Sequence, residues 1–336
     1  MADTLRIAAY HAELSRKGPG LLLHELTTGR NAATEAAVAA IAATGADAIL
    51  LLDIDFDPGL AALTALAARL EAKGQPYPHR LALPPNRAIP TGLDLDGDGR
   101  LGEPEDAQGY GRFAGQGGMA ILSRLPVDRD GLRDLSAFLW ADLPGHRMPA
   151  PLPKGAAAIL RLASSGIWEV PLVLPDGERL RLLAFHAAPP AFSDLNRARH
   201  GDELAFWPLF LDGHLPLPPP APPFVILGTA NADPADGEGD RAALRALLTH
   251  PALQDPAPRG NAPPDPDHTG DPATDTAAFG RARGLPGSVR VDYVLPSADL
   301  AVTASGVLWP DEVDPLAATL AAASRHRPVW MDVILP

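Results

Sequence analysis

Six short segments of the chain share one pattern, an apolar run of branched and leucine side chains with a polar cluster at or near one end. They are LRIAAYHAEL from Leu5, ADAILLLDIDFD from Ala46, LLAFHAAPP from Leu182, FVILGTANADP from Phe224, RVDYVLPS from Arg290 and ASRHRPVWMDVIL from Ala323. Runs of this kind are strands of a buried sheet that carry functional groups to one rim. Helical spacing fills residues 35–44, 60–73 and 240–250, the first two stopping at Gly45 and Gly74. Residues 84–118 are rich in Gly, Asp and Pro without periodicity, which predicts a long structured loop inserted before a strand at 119–122. Stretches 144–154, 216–223 and 255–276 read as surface connections. No internal repeat is visible, and the even spread of strand signals along residues 1–336 predicts one domain.

Composition adds limits. The chain is 46% apolar but only 5% aromatic, so its core is built from Ala, Leu, Val and Ile. A formal net charge of -13 with no Lys/Arg-rich run favours a small phosphorylated or uncharged ligand, or a protein partner, over duplex nucleic acid, whose binding depends on neutralising phosphates. Cysteine is absent, which removes disulfides, thiolate metal sites and cysteine nucleophiles. No apolar run reaches the ~18 residues of a membrane helix. The start MADTLRIAAY does not show a basic stretch followed by an apolar run. The expectation is a cytoplasmic protein, or a periplasmic or secreted one if a signal has been removed.

The segment DLDGDGRLGEPE has the spacing of a calcium loop. Asp94, Asp96 and Asp98 stand at positions 1, 3 and 5, Gly99 at the turn, Arg100 offers its carbonyl at 7 and Glu105 closes at 12. RAIPTG before it and DAQGYG after it are not EF-hand helices. The expectation is a Ca²⁺ loop embedded in the 84–118 insertion, ordered by the ion because its carboxylates otherwise repel; the alternative is a solvated Asp/Gly turn.

The six segments, in this order, resemble the endonuclease/exonuclease/phosphatase superfamily, and GQGGMAILSR, FHAAPP and DYVLPS resemble a bacterial branch of it. The resemblance spans nearly the whole chain. It implies a four-layered α/β sandwich, two facing mixed β-sheets with helices outside and the active site at one end of the sheets. It implies a metal-dependent hydrolase of phosphodiester or phosphomonoester bonds, with Mg²⁺ or Mn²⁺ in the cleft on His11, Asp53 and Asn231. His11 stands where the family has Asn, and Asp53 where it has Glu. His186 and Asn231 match residues that contact the phosphate, Asp292 matches the Asp before the aromatic, and His326 matches the catalytic His. Thr229 replaces the Asp of GDxN, and Arg325 the Asp of SDHR, so His326 is expected to stand without a carboxylate partner. Loss of a general base removes a factor of ~10²–10⁴ in rate. Two readings stay open: a diverged, weak phosphoesterase, and a pseudoenzyme that binds a ligand or protein in the same cleft.

In FSDLNRARHGDELAFW, Arg197 and Arg199 could meet an anionic group, but a solvated helix start is the expectation. Trp207, Trp309 and Trp330 are expected to be core or sheet-packing residues.

Overall fold

A computed structural model describes residues 4–280 and 284–334. Numbered along the chain, one sheet contains β1 (Thr4–Leu14), β2 (Ala48–Ile54), β3 (His79–Leu81), β4 (Gly118–Ser123), β12 (Ala301–Val307) and β13 (Val329–Ile334). The other contains β5 (Arg133–Asp134), β6 (Ile167–Val173), β7 (Arg179–His186), β8 (Phe224–Thr229) and β11 (Asp292–Pro296); β9 (Ala277–Ala278) and β10 (Ser288–Val289) form a separate ribbon. The helices are α1 (Leu21–Thr28), α2 (Ala32–Ala43), α3 (Ala61–Glu71), α4 (Asp194–Leu211), α5 (Arg241–Leu248) and α6 (Pro315–Ala323). None is long and apolar enough to cross a membrane.

Alternation along the strands builds the layers, because successive side chains leave a strand on opposite faces. Leu5, Ile7 and Ala9 of β1, Leu50 and Leu52 of β2, Leu180, Leu182 and Ala184 of β7, Val225 and Leu227 of β8 and Val294 of β11 share one core between the two sheets. Their neighbours Tyr10, Ile49 and Leu51 pack outward with α1, α2, α3 and α6. Leu183, Phe185, Ile226 and Tyr293 pack outward with α4 and α5. The result is the four-layered α/β sandwich.

The two sheets present the same rim. β1 runs parallel to β2 and β7 parallel to β8, so these four strands end there, while antiparallel β11 and β13 begin there. Continuing the inter-sheet alternation places His11 after Ala9, His186 after Ala184, Thr229 after Leu227 and Asp292 before Val294 on one face. The pairing of β1 with β2 slips between His11 and Leu14 on one strand and Leu52 and Ile54 on the other. Glu13 (φ 49°) and Asp53 (φ 56°) lie in that slip. A bulge of this kind re-aims side chains at a sheet end, and Ile54 accordingly joins the helix-side core while Leu52 stays between the sheets.

The segment from Phe192 departs from the solvated helix start expected of it. Arg197 is exposed and pairs with Asp194, but Arg199, His200, Asp202 and Glu203 are buried. Asp202 accepts from Trp140 Nε1 (2.6 Å), and from the backbone N (2.6 Å) and Nε (2.8 Å) of Arg147. Glu203 accepts from the backbone N–H groups of Ser164 (2.6 Å) and Ala188 (2.5 Å). These carboxylates bond loop backbone that lacks sheet partners, so α4 pins the loops beside the rim. Of the tryptophans, Trp207 is fully buried, Trp330 packs partly buried against the helix-side core with Arg6 over its ring at 3.9 Å, and Trp309 lies beneath Arg327 at 4.8 Å.

Candidate active-site cleft

Three imidazoles meet at the rim. The His11 and His326 rings stack at 4.1 Å, and His186 meets His11 edge-on at 5.0 Å. Ser324 fixes the pair: its Oγ donates to the His11 carbonyl (2.8 Å) and accepts from the His326 backbone N–H (3.0 Å). The ring of Phe279 packs edge-on against His326 at 5.2 Å.

The expectation that His326 lacks a carboxylate is corrected by Asp292, whose Oδ2 lies 2.7 Å from His326 Nδ1 in a buried pair. Motif matching placed the partner next to His326 in sequence, whereas β11 and the lead into β13 bring it from across the sandwich. Asp292 also accepts from the hydroxyls of Thr229 (2.5 Å) and Thr276 (3.0 Å). Burial alone would raise the Asp292 pKa. The His326 charge and hydrogen bond and the Thr229 hydroxyl outweigh it and hold the carboxyl below its ordinary range.

Asp53 sits in the slip of β2 and accepts from Arg87 Nη1 (3.2 Å). A Cβ on Gly117 would lie 2.4 Å from that Nη1 and 2.8 Å from Asp53 Oδ1, so the pair requires glycine there. Gly228 serves the GTAN turn in the same way, since a Cβ would come within 1.9 Å of the Phe185 carbonyl oxygen at φ 153°. Asn231 (φ 51°) donates through Nδ2 to the Ala187 carbonyl (2.8 Å), which leaves its amide oxygen as the group available to the cleft. Glu13 is held by Arg325, from Nε to Oε1 (2.6 Å) and from the backbone N–H to Oε2 (3.0 Å).

Burial, then the His326 charge, lowers the His11 pKa to about 4. His186 is pushed well below its ordinary value, first by burial and then by Arg87. Both rings are therefore neutral near pH 7. His11 Nδ1 and His186 Nδ1 are buried with no hydrogen-bond partner among the described residues.

His11, His186, Thr229, Asp292 and His326 thus form one connected set, flanked by Asp53 and Asn231. Glu13, Arg87, Thr276 and Ser324 went unread in the sequence. Glu13 had a signal, being two residues beyond His11 on the same strand face. Arg87 had none beyond its place in a long loop.

The 94–106 loop is organised differently from its motif. The carboxylates that converge within 4.8 Å are those of Asp94, Asp96 and Asp106. Glu105, expected at position 12, is exposed, while Asp106 beside it is buried and accepts from Leu95 N (2.8 Å) and Gly102 N (2.9 Å). Asp94 accepts from Gly97 N (2.7 Å) and Gly99 N (2.9 Å). Asp98 accepts from Arg100 N (2.8 Å). Backbone amides therefore offset the carboxylate repulsion that was expected to expand this loop.

The two sheets of the sandwich end at one rim, with a buried histidine–aspartate pair where they meet. The chain matches the Endonuclease/Exonuclease/phosphatase family over residues 23–326 and belongs to it. Its structure is similar to that of an endonuclease/exonuclease/phosphatase from Beutenbergia cavernae (20% identity, 99% of this chain and 72% of that one, TM-score 0.58). It is also similar to sphingomyelinase C from Streptomyces griseocarneus (17%, 98% and 99%, TM-score 0.51) and to mannosyl-6-phosphatase Bt3783 from Bacteroides thetaiotaomicron (12%, 98% and 100%, TM-score 0.51). At these identities the likeness is one of fold. No curated protein matches the sequence.

Enzymes of this family generally depend on a divalent metal ion. The residues at this rim do not fit a hard ion such as Mg²⁺, which requires near-octahedral oxygen ligands. His11 offers nitrogen, Asp53 is neutralised by Arg87, and Thr229 commits its hydroxyl to Asp292.

Proposed function

We propose that the chain is a diverged phosphoesterase acting on small phosphomonoesters or phosphodiesters. The observation that carries this reading is the buried His326–Asp292 pair, which fixes Nδ1 as the hydrogen-bonded nitrogen and leaves Nε2 for proton transfer. In this scheme His326 Nε2 takes a proton from water as the water oxygen attacks phosphorus, and Asp292 supports the imidazolium that forms. The same proton then passes to the leaving alkoxide as its P–O bond breaks. His186, the Asn231 amide and Arg87 line the cleft where charge on the phosphoryl oxygens grows. The names of the structural neighbours, a sphingomyelinase and a sugar phosphatase, support an ester of phosphoric acid as substrate.

Hydrolysis of 4-nitrophenyl phosphate and bis(4-nitrophenyl) phosphate tests the proposal. His326→Ala is expected to lower kcat/KM by about 10²–10⁴-fold. Wild-type rates no higher than those of His326→Ala would leave the second reading, a pseudoenzyme that binds its ligand in the same cleft; the replacement of two family carboxylates by Thr229 and Arg325 favours that reading.

For the 94–106 loop we propose a separate Ca²⁺ site on Asp94, Asp96 and Asp106, supported by the motif spacing and by the convergence of these three carboxylates.

A further inference from the structure

The misfit to Mg²⁺ has a positive side. We infer that the cleft is a nitrogen-rich cation site, taking a borderline transition-metal ion of the zinc class on His11, Glu13 and His326. One ligand atom from each of these residues lies within 4.8 Å of the others. Imidazole nitrogen with a single carboxylate suits zinc-class ions, whereas Mg²⁺ prefers an all-oxygen shell.

Several independent observations agree. His11 Nδ1 is buried without a hydrogen-bond partner among the described residues, and so is Nδ1 of His186, which is 3% exposed and packs edge-on against His11. A buried polar atom left unanswered is destabilising, so His11 Nδ1 points to a ligand that answers it. The His326 side is already built as a metal ligand's usually is: its Nδ1 is engaged by a buried carboxylate, which orients the ring and leaves the other nitrogen to coordinate. Glu13 is held by Arg325 at a left-handed φ of 49°, a conformation unfavourable for glutamate that the bulge in β1 imposes at this position. Its carboxylate retains lone pairs beyond those that Arg325 uses.

Coordination would occupy Nε2 of His326, the nitrogen required for proton transfer. Zinc-class occupancy and hydrolysis therefore exclude one another, and the ion would act as an inhibitor of the proposed activity. Binding itself does not depend on that activity, so the two can fail separately.

The test uses the full-length chain, stripped with a chelator. Zn²⁺ affinity and stoichiometry are read by competition with a chromophoric chelator, and Co²⁺ in place of Zn²⁺ gives visible absorption that reports nitrogen ligation. One ion per chain is expected, not displaced by millimolar Mg²⁺. Affinity should fall by about 100-fold or more in His11→Ala and His326→Ala, by about 10- to 100-fold in Asp292→Asn, and not at all in Asp94→Ala. Glu13→Gln, at the partly exposed end of β1, provides a variant that keeps the fold if the buried substitutions do not. Affinity unchanged in His11→Ala and Glu13→Gln, or displacement of Zn²⁺ by equimolar Mg²⁺, would overturn the inference. Where hydrolysis is measurable, Zn²⁺ should abolish it and chelation restore it.

Discussion

The rim cleft and the 94–106 loop both gather groups that suit a cation, and they do so in opposite ways. In the loop, four carboxylate oxygens of Asp94 and Asp106 accept backbone N–H groups at 2.7–2.9 Å. In the cleft, two imidazole nitrogens have no partner among the described residues, and the carboxylates are held by guanidiniums, hydroxyls or imidazole. The loop is satisfied by its own chain. The cleft holds its carboxylates but leaves imidazole nitrogens unanswered, which is how a site prepared for a ligand differs from a turn that tolerates one.

The sharpest way to break the comparison is to remove one carboxylate from each region. Asp292→Ala takes the shared acceptor from His326, Thr229 and Thr276 in a buried site, and the loss is expected to reach about 3–5 kcal/mol. Asp94→Ala removes a turn cap near the surface and should cost about 1 kcal/mol. Urea unfolding of the two variants measures both. Equal losses would show that the Asp292 pair is no more than another local cap.

A second experiment probes what stands behind the cleft. Glu203 is buried and binds the Ala188 N–H just beyond His186; burial is the main cause that raises its pKa to about 7. A carboxyl with a raised folded-state pKa contributes stability that is complete below its ordinary value of 4.5 and is lost as pH rises through 7. That contribution is about 3 kcal/mol. In Glu203→Gln the amide can accept only one of the two backbone N–H groups and cannot titrate. The variant should therefore be clearly less stable than wild type at pH 5, with the gap closing by about 3 kcal/mol by pH 8. A gap that stays constant across this range would show that Glu203 is ionised throughout.

Much of the sandwich was legible because its strands obey a period of two. Leu5, Ile7, Ala9 and His11, or Leu182, Ala184 and His186, announce both a core face and the polar group at its end. β6 was not read, since Pro171 interrupts its run, and β12 was missed because small, exposed residues such as Thr303 and Ala304 carry no alternation. The short α1, bounded by Gly20 and Gly29, and the alanine-rich α6 were missed for want of a distinctive polar face. At the site, motif positions named the histidines but not their partners. The Asp292–His326 pair spans 34 residues and Arg87–Asp53 spans the same distance, both set by topology. In the loop, spacing named the turn correctly in outline but chose Glu105 over Asp106, because a motif counts positions and the chain here adds a 3₁₀ turn, Pro104–Asp106, that carries Asp106 inward.

The smallest expected effect sharpens the loop side of the comparison. With its carboxylates already engaged by amides, the loop gains little order from an ion, and it lacks flanking helices that could open. Calcium should therefore bind in the millimolar to ~10⁻⁴ M range of weak modules and stabilise the protein by about 1–3 kcal/mol at 10 mM, following mass action. The ligand assignment separates two neighbouring residues. Asp106→Asn should weaken calcium binding by about 10-fold or more, because Asp106 contributes one of the three converging carboxylates, whereas Glu105→Gln, on an exposed side chain, should leave it within about 2-fold. Calorimetric titration of the chelator-treated chain reads both. The reverse ranking would restore Glu105 as the closing ligand, and no saturable binding up to ~10 mM would reduce the loop to the amide-satisfied turn that its hydrogen bonds already describe.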